Sequence, residues 1–473
     1  MNALEPIKHD STSVPSINRI HLWSSCLVAA LGGLMFGYDW VVVSGADVFY
    51  EQYFHLVSPL DIGWAKGCAL LGCIVGALIS GSSSDKLGRK RLLMFSAVLF
   101  TVSSLGTGMA NTLSTFIVWR IVGGAAIGIA SSLSPIYIAE IAPADIRGKL
   151  VSLNQLNIVI GIVLAQVANW LVAQPVPYGA SAQDILTSWN GQYGWRWMFC
   201  LVSVPAVLFL IGLFFVPESP RWLVRAGRPD QALRNLAMIG GDEYAAAALV
   251  EIEATLTHEE NRVSFRELLE PGVRRVLGFG ILLAFIVQWC GINAIFYYTR
   301  DVFEAAGFNV STILLNIIIV GVTNLVFTFI ALQTVDRLGR RPLTLAGWAG
   351  LSVIFALMGF CCFLKIKGLI VVALVMAGIG WYAATIAPMC WVTLAEIFPN
   401  RIRGTAMAIS VCALWLGNFT LTYAFPFLLQ KLGSSGTFSL FAAICAIGFV
   451  LMARQLHETK NKTLEEIEQE LTN

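Results

Sequence analysis

Asp39 is the one carboxylate of this 473-residue chain that stands well inside an apolar run, in Phe36-Gly-Tyr-Asp39. Arg120 is the one arginine placed the same way, in a separate run. An ionised side chain at the centre of a lipid-spanning helix costs roughly 2.5–3.5 kcal/mol even on the gentler insertion scale. Such a group persists when it is paired, neutralised or in contact with water. One acid and one base on different helices form a consistent pair. Its chemistry is either reversible protonation of Asp39, tuned by Arg120, or a permanent structural ion pair, and the residues alone leave both open.

A second set of polar side chains also lies inside apolar runs. Gln155 and Gln166 share one run, and Gln288 and Asn293 share another with Tyr297 and Tyr298. Asn324, Trp391, and Trp415 with Asn418 follow further along. Amides bind hydroxyl-bearing neutral molecules by paired hydrogen bonds, and aromatic rings stack on flat C–H faces. Any one amide could instead join two helices. Their concentration in the second half of the chain, with aromatics between them, points to a binding site.

Other chemistries are poorly served. No Ser/His/Asp triad, metal cluster or phosphate loop occurs, and His9, His21, His258 and His457 lie at polar ends or in loops, so neither an enzyme nor a cofactor is expected. The ten cysteines all lie in apolar runs, Cys361 and Cys362 side by side, without metal spacing, and read as buried thiols. A net charge of +2 argues against nucleic acid. The polar N-terminus lacks the basic region and small-residue cleavage site of a signal peptide.

The elements that must position these groups are long apolar helices. The chain is 57% hydrophobic and only 13% charged, against ~25% charged in soluble proteins. About 20 apolar residues cross a bilayer. Such runs fall near 22–44, 62–81, 92–109, 113–138, 151–173 and 197–216, then near 275–299, 311–333, 343–363, 368–392, 405–429 and 437–455. This predicts an all-α membrane protein of twelve transmembrane helices in two six-helix bundles, since only helices or closed barrels satisfy their backbone in lipid. Glycine patterns such as Gly72-x-x-x-Gly76 and Gly123-Gly124-x-x-x-Gly128 allow close helix approach. The connections on one side and the two ends hold 24 of the 31 Lys and Arg; Arg196, Arg300, Lys365, Lys367 and Lys431 fall on the other side, and Lys66 and Arg120 within or near spans. The excess places both termini in the cytoplasm of a multi-pass membrane protein.

The division expected is a cytoplasmic N-terminus (1–21), a first bundle (22–216), a linker with short amphipathic helices (217–274), a second bundle (275–455) and a cytoplasmic tail (456–473). The linker is either a latch between the halves or a solvated connection.

Two motifs repeat at nearly one offset. Gly81-Ser-Ser-Ser-Asp85-Lys-Leu-Gly88-Arg89-Lys-Arg91 has its counterpart in Asp336-Arg-Leu-Gly339-Arg340-Arg341, and Ala139-Glu140-Ile-Ala-Pro143-x-x-Ile-Arg147-Gly148 in Ala395-Glu396-Ile-Phe-Pro399-x-x-Ile-Arg403-Gly404. A duplicated six-helix unit explains both. Asp85, Arg89, Glu140 and Arg147 form one set that can pair across helix ends, and Asp336, Arg340, Glu396 and Arg403 the other. They would serve as a gate that yields as the halves rock, or merely as topology signals.

At these motifs the chain resembles the major facilitator superfamily, whose signature is the Gly-x-x-x-Asp-Lys-x-Gly-Arg-Lys loop. Pro217-Glu-Ser-Pro-Arg221-Trp-Leu and Glu458-Thr-Lys-Asn-Lys-Thr-Leu-Glu-Glu-Ile are similar to the marks of its sugar-porter branch. The resemblance implies alternating-access uptake of a monosaccharide, a pentose such as D-xylose or a hexose, by a monomer. Proton-coupled members carry Asp at the position of Asp39, which favours proton symport; facilitative members have a neutral residue there. A uniporter and, more distantly, a sugar sensor are the competing readings. The family's helix-five Gln corresponds to Gln155, and its Gln-Gln-x-x-Gly-Ile-Asn segment reads Val287-Gln288-Trp289-Cys290-Gly291-Ile292-Asn293 here. Its Gly-Pro-x-x-Trp reads Ala387-Pro388-Met389-Cys390-Trp391, and Leu414 replaces a polar residue before Trp415. Breaks at Gly291 and Pro388 are expected to act as hinges.

Overall fold

The computed structural model describes residues 18–143, 146–177, 179–258, 270–305, 310–398, 402–456 and 458. Eleven helices among the described residues are long and apolar enough to cross a membrane. The last, Arg403–Gln455, has 53 residues, which at ~1.5 Å per residue is more than twice the ~30 Å of hydrocarbon. It bends at Gly433, whose φ of 67° and ψ of 175° interrupt the helix, so it supplies two spans and makes twelve in all.

The first span, Arg19–Tyr53, starts where the Asn18 side chain accepts a hydrogen bond from the His21 amide. It is longer than the apolar run 22–44 that announces it. Asp47 and Glu51 therefore lie on a buried helix, and Asp39 is not the only acid held among the spans. The second span, Pro59–Leu87, is tied to the third, Arg89–Gly108, by Gly88 at a φ of 92°. Gly339 repeats that turn at 91° before the ninth span, Arg340–Phe363. A side chain is strained at such φ values, which accounts for glycine in both copies of the motif.

The fourth span, Leu113–Ile141, lies directly against the second. A Cβ on Gly72 or Gly76 would collide with the carbonyls of Ile121 and Ala125, and one on Gly124 or Gly128 with those of Ala69 and Cys73. The fifth span, Arg147–Val172, packs on the first in the same way, through Gly37 against Ile158 and Gly161 against Leu34. These contacts bring the backbones together where side chains would hold them apart. The second span also meets the eleventh through Gly63 and Tyr423, and the fifth meets the eighth (Val310–Leu338) through Gln166 and Gly321.

Among the described residues, three spans are discontinuous. The sixth is assembled from a π-helical turn (Asn190–Gly194) and helices Trp195–Cys200 and Ser203–Phe215, with its break four residues before Pro205. The seventh is Pro271–Gln288, then Ile292–Tyr297 and Thr299–Ala305, broken at Gly291, which has the left-handed φ of 97°. The tenth breaks at Thr385 between Leu369–Ala384 and Ile386–Ile397. The expected hinge at Pro388 thus lies three residues early, because proline disrupts the turn that precedes it, leaving the carbonyl four residues back without a donor.

The linker forms helices Pro220–Arg225 and Pro229–His258, the second kinked at Gly241. The Trp222 indole donates to the Asp85 carbonyl, docking the first of them on the end of the second span. Large apolar side chains such as Leu171, Phe214, Val353 and Phe360 are exposed on the outer surface, as lipid contact requires.

Candidate functional site

Arg120 Nη1 lies 2.8 Å and 2.9 Å from the two Asp39 carboxylate oxygens, joining the fourth span to the first. Both side chains are almost wholly buried, at 3% and 7% exposure. The guanidinium also sits over the Phe199 ring of the sixth span. Two opposite charges so buried offset one another's desolvation, and breaking such a pair strands a charge at a cost of about 3–5 kcal/mol.

A cavity of about 110 Å3 opens against a neighbouring face of the first span. Phe36 and Trp40 line it, whereas Asp39, between them in sequence, does not. The cavity brings together Gln155, Gln288, Asn293, Asn324, Trp391 and Trp415, from the fifth, seventh, eighth, tenth and eleventh spans, with Thr328, Tyr382 and Asn418. Among the described residues, no Asp, Glu, Lys or Arg lines it. Asn293 donates to Gln288 Oε1 at 2.6 Å, so two of the amides hold each other in place. The Trp415 indole N–H is buried without a hydrogen-bond partner and is available to a ligand. Phe36 stacks with Trp40 and meets Trp415 edge-on, giving a continuous aromatic wall. Such a pocket suits a neutral molecule with several hydroxyls and a flat apolar face.

Tyr297 and Tyr298 stand outside that lining. Tyr297 packs edge-on against Trp40. Tyr298 donates its hydroxyl to the Thr422 carbonyl and lines a separate cavity of about 250 Å3 beside Arg300. Phe36, Trp40 and Tyr382 were not among the residues singled out from sequence; the signal for the first two is their four-residue spacing, which puts both on one helical face next to Asp39's.

At the ends bearing the repeated motifs, Arg89 reaches Asp85 at 3.2 Å and Glu140 at 2.9 Å, and Arg225 of the linker joins Asp85 at 3.1 Å. Ser219 donates to Glu140 through a short hydrogen bond. Arg340 reaches Glu396 at 3.3 Å in the second half. The Arg89–Asp85, Arg89–Glu140 and Arg340–Glu396 pairs each lie within one half, and Arg225 ties the linker to the first. Arg147 is exposed and donates to the Ala142 carbonyl, apart from this network. The side chains of Asp336 and Arg403 lie outside the described residues. Glu218, from the Pro217 motif, accepts hydrogen bonds from the Arg89 and Lys90 amides, and Glu458 does the same for Arg340 and Arg341.

The sequence profile of the sugar (and other) transporter family matches residues 25–471. The chain is 37% identical to the D-xylose–proton symporter of Escherichia coli K12, over 95% of this chain and 96% of that one. It is 38% identical to the arabinose–proton symporter of Bacillus subtilis, over 94% and 93% respectively. The inward-open structure of the xylose transporter XylE from E. coli is similar with a TM-score of 0.83 at 35% identity, across 95% of this chain and all of that one. Twelve spans, the duplicated motifs and these matches agree: the chain is a multi-pass membrane protein and belongs to the sugar (and other) transporter family of the major facilitator superfamily.

Proposed function

We propose that the protein carries a neutral monosaccharide across the membrane together with a proton, by alternating access. The observation that carries this is the placement of the buried Asp39–Arg120 pair directly behind an uncharged wall of amides and aromatics. The first span presents Phe36 and Trp40 to the sugar and Asp39 to Arg120, so movement of one rigid helix links the two sites. The named activities of the E. coli and B. subtilis relatives support both sugar and proton as cargo. A pentose such as D-xylose or L-arabinose, or a hexose, is the substrate class.

The rocking units are residues 22–216 and 275–455, with 217–274 as the cytoplasmic connection. The face carrying Arg89 and Arg340 is the cytoplasmic one, since it holds the basic excess, and both termini lie there. The protein works as a monomer in the inner membrane of a bacterium. Gln155, Gln288, Asn293, Asn324, Trp391 and Trp415 hold the sugar, with Tyr297 beside them and Tyr298 outside them. Asp85, Arg89, Glu140, Arg340 and Glu396 brace the cytoplasmic ends of their own halves, with Arg147, Asp336 and Arg403 as further members of that gating set.

The test is uptake of D-xylose, L-arabinose and D-glucose by proteoliposomes, with and without an imposed inside-alkaline pH gradient. Symport predicts accumulation of at least one sugar above the outside concentration only with the gradient. Uptake that equilibrates at the same level in both conditions would establish the uniporter instead.

A further inference from the structure

Four charged side chains that the transport cavity does not use meet where the first, second and seventh spans converge. Lys66 of the second span places Nζ 2.6 Å from Asp47 and 3.3 Å from Glu51, both on the first span. Arg300 of the seventh span reaches Glu51 at 3.1 Å and Asp47 at 3.8 Å. Asp47 and Lys66 are wholly buried, and Glu51 and Arg300 are 5% and 13% exposed. Glu304 flanks Arg300 at 3.6 Å on the exposed side, and the Tyr298 ring lies 4.1 Å below the Lys66 ammonium. Tyr50 packs nearby on the first span, buried against Phe116.

The division of charge between the halves matters. Asp47, Glu51 and Lys66 belong to the first half and Arg300 to the second, so the Arg300–Glu51 and Arg300–Asp47 pairs cross from one half to the other. Buried carboxylates are tolerated when paired and hydrated carboxylates when exposed, but a dry and unpaired one is costly. The cluster therefore has two acceptable arrangements: halves in contact with Arg300 inserted, or halves apart with water in its place. The 250 Å3 cavity that Arg300 and Tyr298 line with Ile62 and Pro426 gives water a route to this point.

We propose that Arg300 is a gating residue of the transport cycle: its pairing with Glu51 and Asp47 closes the end opposite Arg89 and Arg340, and its release lets that end open. This deepens the transport reading and rests on it only for what passes through the opening. On the proposed orientation it is the outer gate. It is distinct from the Arg89–Glu140 and Arg340–Glu396 pairs of the duplicated motifs, each of which lies within one half.

Gly67 provides the reporter. It is buried between the second and eleventh spans, and a Cβ there meets Phe419 and Thr422 at ordinary distances of 3.5–3.7 Å, so the backbone position accepts a side chain and Gly67→Cys is the variant of choice. The probe is a bulky maleimide applied to the detergent-solubilised full chain without sugar or a pH gradient, the parent's cysteines giving the blank. A gate failure is thereby separated from a failure of the sugar or proton assignment. Arg300→Gln should label about fivefold faster or more than Gly67→Cys alone. Glu51→Gln should give the same rise and serves if Arg300→Gln does not fold, as judged by size-exclusion elution. The exchanged pair E51R/R300E should return the rate toward the parent's, below that of R300E alone. An unchanged rate in Arg300→Gln and Glu51→Gln, or an exchanged pair labelling as fast as R300E, would overturn the proposal and leave the cluster a static brace.

Discussion

Glu218 and Glu458 occupy equivalent places in the two halves: each carboxylate accepts hydrogen bonds from the two amides that open a span, Arg89 and Lys90 for one and Arg340 and Arg341 for the other. Each also lies against the positive-φ glycine, Gly88 or Gly339, that turns the chain into that span. The two motifs outside the duplicated loops thus complete the same helix N-terminus twice, one from the linker and one from the tail.

A carboxylate at a helix N-terminus satisfies free amides and meets the positive end of the dipole, worth about 0.3–2 kcal/mol. Glu218→Gln and Glu458→Gln are each expected to lower stability by about 1 kcal/mol, and the double variant by about the sum, since the sites lie in different halves. Thermal unfolding in detergent checks this. A double variant no less stable than either single one would contradict the equivalence.

The second and fourth spans touch backbone to backbone at Gly124 and Ala69. Gly124→Leu is expected to prevent assembly, because no rotamer change relieves a clash with a carbonyl. Gly148→Ala meets nothing within 4 Å and should be neutral or stabilising by up to about 1 kcal/mol. Yield of monodisperse protein separates the two.

In the cavity, Gln288 and Asn293 hold one another as well as any ligand. Gln288→Ala and Asn293→Ala are each expected to raise the sugar Kd about tenfold or more, and the double variant by less than the product, because the first change already frees its partner. Trp415→Phe keeps the ring and deletes the unpaired N–H, and should weaken binding about fivefold, the worth of one hydrogen bond of roughly 1 kcal/mol. Equilibrium binding of the transported sugar measures all four.

Much of this arrangement was legible in the chain. The spans follow from the bulk cost of polar backbone in lipid, and the repeat from two motifs at nearly one offset. Asp39 and Arg120 stood out because each is a lone charge in an apolar run, and they meet as an isolated acid and base should. Asp47 and Glu51 did not stand out, for the apolar run ends near residue 44 and their helix continues to Tyr53. What buries them is Lys66 and Arg300, which are distant in sequence and brought near only by the packing of the first, second and seventh spans. Tyr298 was grouped with Asn293 by sequence, but Gly291 and the irregular turn at Tyr298 redirect the seventh span, and its hydroxyl ends on Thr422. Local spacing reads a continuous helix well and a broken one poorly.

The central claim is that Asp39 carries the coupled proton. Asp39→Asn in proteoliposomes, assayed for both uphill uptake under a pH gradient and sugar counterflow without one, tests it most directly. Counterflow at a rate near the parent's shows a folded, rocking transporter, and the account predicts that this survives while accumulation above equilibrium is lost. Undiminished uphill uptake in Asp39→Asn would contradict it and reduce the Asp39–Arg120 pair to a structural element.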